Sequence, residues 1–247
     1  MEHIHRGLEK RAGRGIRLVT GVVVGATLVL CVVSAPAAAR QFRPEKSSLG
    51  GYVDELSTVA LTSSSSNFVV PSVTCKKKGA VAFGVELVFA TTNTHLTRAD
   101  VSVNCIARKQ VQFSTYASVD GTAEPSEVAS MHPGDTVAVA VSCDNTGTSV
   151  SIHDQSTGFM YSGASTAPAD CDTAVVGGAG ECANTSCSKL RYLPEFGSVA
   201  FSDALLNGGP VVDGSYARSY YAGPRNQFAP GPLGDGGTAF TIQKTAT

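Results

Sequence analysis

Glu86 stands in the middle of an apolar stretch, Ala80–Ala90, otherwise interrupted only by Gly84. A carboxylate is uncommon in such a place. Turned toward a core, its pKa rises, and a carboxyl so raised is a candidate general acid or base. Turned toward solvent on a one-sided sheet, it is an ordinary surface charge. Histidine chemistry has less to work with. His95, His132 and His153 are the histidines beyond the N-terminal region, and a Ser-His-Asp set could be drawn from them. The G-x-S-x-G elbow is absent, however. His132 sits in a turn, His132-Pro133-Gly134-Asp135, and His153 ends a strand, so surface roles suit both. HExxH, P-loop and EF-hand patterns are missing. Gly177-Gly178-Ala179-Gly180 is glycine-rich, but no helix opens after it to complete a phosphate cradle. No cofactor is expected.

Cysteine is the other reactive type. The chain has seven. Cys31 lies in the N-terminal apolar run, which leaves Cys75, Cys105, Cys143, Cys171, Cys182 and Cys187. An even number in an exported chain reads as up to three disulfides, and spacing alone does not choose the pairing. Cys182 and Cys187 have neither CxxC spacing nor a histidine close by, so a metal site is not expected.

Export is read from the N-terminus. Met1–Arg17 is basic, Leu18–Ala35 is apolar and uncharged, and Ala35-Pro36-Ala37-Ala38-Ala39 supplies small residues. That order is a secretory signal peptide over 1–39, cut near Ala37 or Ala39. The alternative is an uncleaved anchor over 18–35, the only membrane contact expected. Cleavage removes five of 19 basic and two of 20 acidic side chains, leaving a net charge of about −4. Such a chain lacks the clustered Lys and Arg that track phosphates, so nucleic acid is not an expected partner. The expected place is outside the cell.

The elements that must position Glu86 and the cysteines are strands. Residues 40–66 are polar and rich in Ser and Gly, and read as a linker or short pro-segment. From residue 67 the texture is β. Phe68–Cys75 is β-branched with an edge-type proline, Asp100–Ile106 and Val111–Tyr116 alternate with period two, and Thr136–Cys143 alternates most cleanly. Asp144-Asn145-Thr146-Gly147 is turn chemistry before a return strand over 149–154. Further short strands are expected over 173–176, 198–202 and 238–243, with long loops over 207–235. Short strands punctuated by Gly, Pro and Asn indicate one all-β domain over 67–247, a sandwich or barrel.

Several segments, taken in order, resemble the glutamic peptidases (eqolisins). Asn67–Cys75 is similar to that family's opening W-x-V-P-x-V strand, and Ala82-Phe83-Gly84-Val85-Glu86 to its W-V-G-I-D. Pro133–Val137 resembles P-G-D-x-I, Ser156-Thr157-Gly158 resembles T-T-G, and Leu193–Phe201 resembles A-D-F-G-T-V-x-F. Ala239–Ile242 resembles the last strand. The resemblance implies a lectin-like (concanavalin A-like) antiparallel β-sandwich. It also implies a glutamine and glutamate pair, the glutamate as general base on water and the glutamine steadying the oxyanion. Here Leu96-Thr97-Arg98-Ala99-Asp100 stands for L-Q-T-G and places Arg98 at the glutamine. Thr173–Gly177 stands for E-W-I-V-E and places Thr173 at the glutamate, with Asp172 one residue away. The cleft tryptophans of the family have no counterpart, because the chain has no Trp. The implied protein keeps the peptidase frame, has lost the catalytic pair, and binds peptide or glycan in its concave face. The alternative is a divergent acid endopeptidase using Asp172 or Glu86 as general base.

Overall fold

The computed structural model describes residues 45–47, 49–55, 61–89, 96–120, 122–123, 131–167, 170–181, 191–211, 217–222 and 228–244. All of these belong to one compact unit, Gln41–Thr247. The expected signal segment, Cys182 and Cys187 lie outside the described residues.

Among the described residues the chain is almost entirely strand. In chain order these are β1 (Glu45–Ser47), β2 (Leu49–Glu55), β3 (Ser63–Val69), β4 (Gly79–Phe89), β5 (Leu96–Ala107), β6 (Gln110–Val119), β7 (Thr122–Ala123) and β8 (Thr136–Asp144). They continue with β9 (Gly147–Asp154), β10 (Met160–Ser165), β11 (Cys171–Gly180), β12 (Ser198–Leu206), β13 (Gly209–Pro210), β14 (Ala217–Ala222), β15 (Phe228–Pro230) and β16 (Phe240–Lys244). Hydrogen bonding runs in one path, β10-β9-β8-β3-β12-β16-β15-β14-β2-β11-β4-β5-β6-β7. Apart from β1, which lies parallel to β14, every pairing is antiparallel. The path folds back on itself, so that β11, β4, β5 and β6 pack against β3, β12, β8 and β9. The fold is an all-β sandwich.

Alternation builds the core between the layers. β4 sends Val81, Phe83, Val85 and Leu87 inward, and β5 sends Ala99, Val101 and Val103. The opposite layer answers with Val137, Val139 and Val141 of β8 and Val150 and Ile152 of β9. Aromatic rings fill the middle: Phe68 lies 5.4 Å from Phe201, whose ring stacks on Phe240 at 4.8 Å. Burial of these side chains is the main force closing the two layers. The cleanest alternation, in β8, gives strictly alternating burial. Its turn also forms as expected, with Asp144 Oδ1 accepting from the backbone N–H groups of Thr146 and Gly147.

The linker expected over 40–66 is corrected, because β1 and β2 lie within it and β3 begins there. β2 runs between β11 and β14 in the middle of one layer. Its Gly50-Gly51 pair has no room for side chains: a Cβ at Gly50 would meet the Phe228 ring, and one at Gly51 the backbone of β11. β3 begins at Ser63, and every second serine turns inward: Ser64 and Ser66 are buried, and Ser64 Oγ donates to the Val175 carbonyl across the sandwich at 2.7 Å. A satisfied hydroxyl is tolerated in a core, which composition does not reveal. The strand expected over Phe68–Cys75 accordingly ends at Val69, just before Pro71.

Two disulfides form among the described cysteines. Cys75–Cys105 ties the segment before β4 to β5, and Cys143–Cys171 ties β8 to the start of β11. No described group of His, Cys, Asp and Glu could hold a metal ion, and no described helix is long and apolar enough to cross a membrane.

Candidate functional site

The face of β4, β5, β6 and β11 turned away from the core carries the chemistry. Because β4 sends its odd-numbered residues inward, Glu86 points outward, together with Ala80, Ala82 and Gly84. The register is then decisive. Glu86 lies directly opposite Arg98 on β5 and opposite Val175 on β11. One rung along, Gly84 lies opposite Asp100, and Asp100 opposite Tyr116 on β6.

These residues form a charged cluster. Arg98 Nε is 2.5 Å from Asp100 Oδ2, and the guanidinium sits over the Tyr116 ring, 5.2 Å from its centre. Asp100 is 3 % exposed and Arg98 27 % by side chain, so water screens the pair weakly. Ser102 Oγ donates to Asp100 Oδ1 at 3.1 Å. Burial pushes the Asp100 carboxyl above its usual range, against the pull of Arg98 and the Ser102 hydrogen bond. Burial also raises Glu86; Arg98 opposes that shift and the Asp100 charge adds to it. The core-facing alternative for Glu86 is thereby settled against. Glu86 faces outward, yet is only half exposed, and its pKa is raised all the same.

The positions matching the family pair share this face but not a rung. Arg98 is level with Glu86 and Val175, whereas Thr173 is level with Val88 and Leu96. Asp172 is the extra residue of a β-bulge between Cys171 and Thr173, where the pairing with β4 shifts. Simple alternation from its neighbours therefore does not fix its direction. Thr173 Oγ1 donates to Asp172 Oδ1 at 3.1 Å, so these two are partners of each other. Glu86 and Arg98 are brought together; Asp172 and Thr173 form a separate pair.

Two members of the cluster, Asp100 and Tyr116, were not marked as site residues in the sequence. The signal for Asp100 was present: Arg98-x-Asp100 in a period-two strand puts both on one face. Tyr116 needed the pairing of β5 with β6, which spacing does not give.

A rung of glycines crosses the floor beside the cluster. Gly51, Gly177 and Gly84 are consecutive partners across β2, β11 and β4, and Asp100 follows on β5. A Cβ at Gly84 would overlap the carbonyl oxygen of Ala99, and one at Gly51 would overlap that of Val176. Gly177 has φ +156°, and a Cβ there would fall 2.7 Å from the Gly50 carbonyl oxygen. Backbone, not a flexible side chain, fills each space. Gly84→Ala is expected to cost about 1–3 kcal/mol of stability, the range for overpacking, read as a shift in urea midpoint with unchanged slope.

Farther along the same strands lies a groove of about 580 Å³, lined by Lys78, Ala80, Asn104, Gln112, Glu181 and Arg191 among others. Its size lies within the range of ligand sites. It lies beyond Ala82 and Ala80 on the outward strip that starts at Glu86 and Gly84, so the hollow of about 20 Å³ at the cluster and this groove are two depressions along one face, the cleft.

The structure resembles scytalido-glutamic peptidase bound to a transition-state analogue inhibitor, with a TM-score of 0.58 and 17 % identity, over 80 % of this chain and 98 % of that one. It resembles equally SCP-B, a member of the eqolisin family of peptidases in a complex with the tripeptide Ala-Ile-His, with a TM-score of 0.59 and 17 % identity, over 79 % and 97 %. At such identity these likenesses carry the fold. No curated protein sequence matches the chain. Residues 47–220 match the model of the Peptidase A4 family, from β1 of the sandwich into β14, and the chain belongs to that family.

Proposed function

We propose that this is an exported protein that keeps the glutamic-peptidase frame without its chemistry and holds an extended peptide along the cleft. The observation that carries the reading is the fate of the two family positions. The one matching the glutamate is Thr173, whose hydroxyl cannot serve as a carboxylate base and is already donated to Asp172. The one matching the glutamine is Arg98, whose charge is held by Asp100 at 2.5 Å. Water in the cleft therefore has no base at the first position, and the guanidinium at the second is drawn toward Asp100 through Nε. The groove, with a polar wall and a floor of small residues, supports peptide as the ligand. The two disulfides support an oxidising compartment.

A second reading, a divergent acid endopeptidase, is favoured by one observation. Glu86 lies opposite Arg98 with a raised pKa, a carboxyl facing a guanidinium. The bulge and the pairing with Thr173 make Asp172 the weaker base for this reading.

Hydrolysis of a mixed peptide library from about pH 2 to pH 7 separates the two, since the window spans ordinary and raised carboxyls. The expected result is no cleavage by folded, disulfide-intact protein. Cleavage that peaks in acid and disappears in Glu86→Gln or Asp172→Asn would overturn the proposal.

A further inference from the structure

The cleft has different charges at its two ends. At one end stand two carboxyls, Glu86 and Asp100, and one guanidinium, Arg98. The guanidinium is committed to Asp100 and lies over Tyr116. Among the described residues no hydrogen bond or ion pair reaches the Glu86 carboxyl, although it lines the cleft beside Gly84 and Gly177. Opposite it β11 offers only Val175 and Gly177, and Tyr116 is the titratable group contributed by β6. The cluster thus carries one negative charge in excess, since the single guanidinium of Arg98 is shared between Asp100 and the half-buried Glu86 that faces it. At the other end Lys78 and Arg191 stand with Glu181, and Arg191 Nη1 is 2.9 Å from Glu181 Oε1. There the surplus is one positive charge, on Lys78.

We infer that the cleft selects a dipolar extended peptide, with an ammonium group against Glu86 and an anionic end toward Lys78. This deepens, and rests on, the peptide-binding reading above. The bare floor beside Glu86 lets an ammonium approach without displacing a side chain. Glu86 and Lys78 are separated by eight positions, about 26 Å at the rise of a strand, so a peptide of about eight residues reaches both. The ammonium can be an N-terminus or a lysine side chain, since Glu86 would bind either in the same way. Lowering the pH through the raised titration of Glu86 removes the charge and with it the preference. Asp100 shares that direction, and Arg98 stays charged throughout.

The test uses fluorescently labelled octapeptides and the full chain, by anisotropy at pH 7 and low salt. One peptide begins with a free amine and ends in Asp. A second is acetylated, a third is acetylated with Lys first, and a fourth is acetylated and amidated without charge. The expected result is that the first or third binds about tenfold more tightly than the second, which differs only in lacking the ammonium, the scale of one charge-assisted hydrogen bond. The better of the two identifies the source of the ammonium. In Glu86→Gln the ratio falls to about one, and in the wild type it falls likewise as Glu86 takes up its proton in acid. Equal binding of all four peptides overturns this inference while leaving peptide binding in place. No binding of any peptide overturns both.

Discussion

Arg98→Ala lowers the stability of the protein by about 3–5 kcal/mol at neutral pH, the cost of removing one partner from a buried ion pair. The reason lies in what remains. Asp100 would keep its place at 3 % exposure with Ser102 as its hydrogen-bond partner, and Glu86 would stand in the same depression without a facing cation. The loss depends on pH, and its direction follows from the carboxyls. Burial already raises Asp100 and Glu86 above their ordinary values of 3.8 and 4.5. A carboxyl with a raised folded-state pKa binds its proton more tightly when folded, so it favours folding in acid and disfavours it as pH climbs past the unfolded value. Arg98 offsets that penalty. Without it both titrations move further up, so the variant is weakest at pH 7 and approaches the wild type near pH 3, where both carboxyls are protonated. Urea unfolding at the two pH values is the measurement. A loss equal at both would place the role of Arg98 in packing against Tyr116 instead.

Replacing Cys143 and Cys171 together by alanine is expected to cost about 3–4 kcal/mol, the loop-entropy value for a bridge across 28 residues. For a chain of this size that is a fall in unfolding temperature of roughly 10 °C. The same exchange at Cys75 and Cys105 closes a similar loop of 30 residues, but within one layer, between β4's approach and its neighbour β5. Cys143–Cys171 joins β8 to β11 across the sandwich, and both cysteines are buried in the core. It also anchors β11 immediately before the bulge that carries Asp172 and Thr173. The double variant should therefore lose order at that bulge before the rest of β11, seen as faster amide exchange at Thr173 than at Val176. A loss below about 1 kcal/mol would mean that packing alone fixes the two layers.

The sequence carried the strands whose alternation is strong, because a one-sided sheet writes its register directly into residue type. β8, β9 and the Asp144 turn between them were legible for that reason. β2 and β3 were not. Their Gly and Ser residues look like linker, and what makes them strands lies elsewhere in the chain: the backbone of β11 passing close to Gly51, and the Val175 carbonyl waiting for Ser64. The site divides along the same line. Glu86 stood out as a charge in an apolar run, and Arg98 through the family pattern. That the two face each other is a property of the β4–β5 pairing, and Tyr116 enters only through the next strand.

The crossing rung of Gly51, Gly177 and Gly84 has a consequence for how such a protein can change. To the proposed peptide, a floor made of backbone would offer contour but no chemical identity, so discrimination would have to reside in the walls. Those walls run from Arg98, fixed by its buried partner Asp100, and the Tyr116 ring beneath it to Asn104 and Gln112, whose outward positions can accept other residue types without touching the core. The floor cannot drift, since any side chain there collides with a neighbouring strand. A lineage built on this frame can exchange one ligand for another, or a catalyst for a binder, while the mould that receives them keeps its shape.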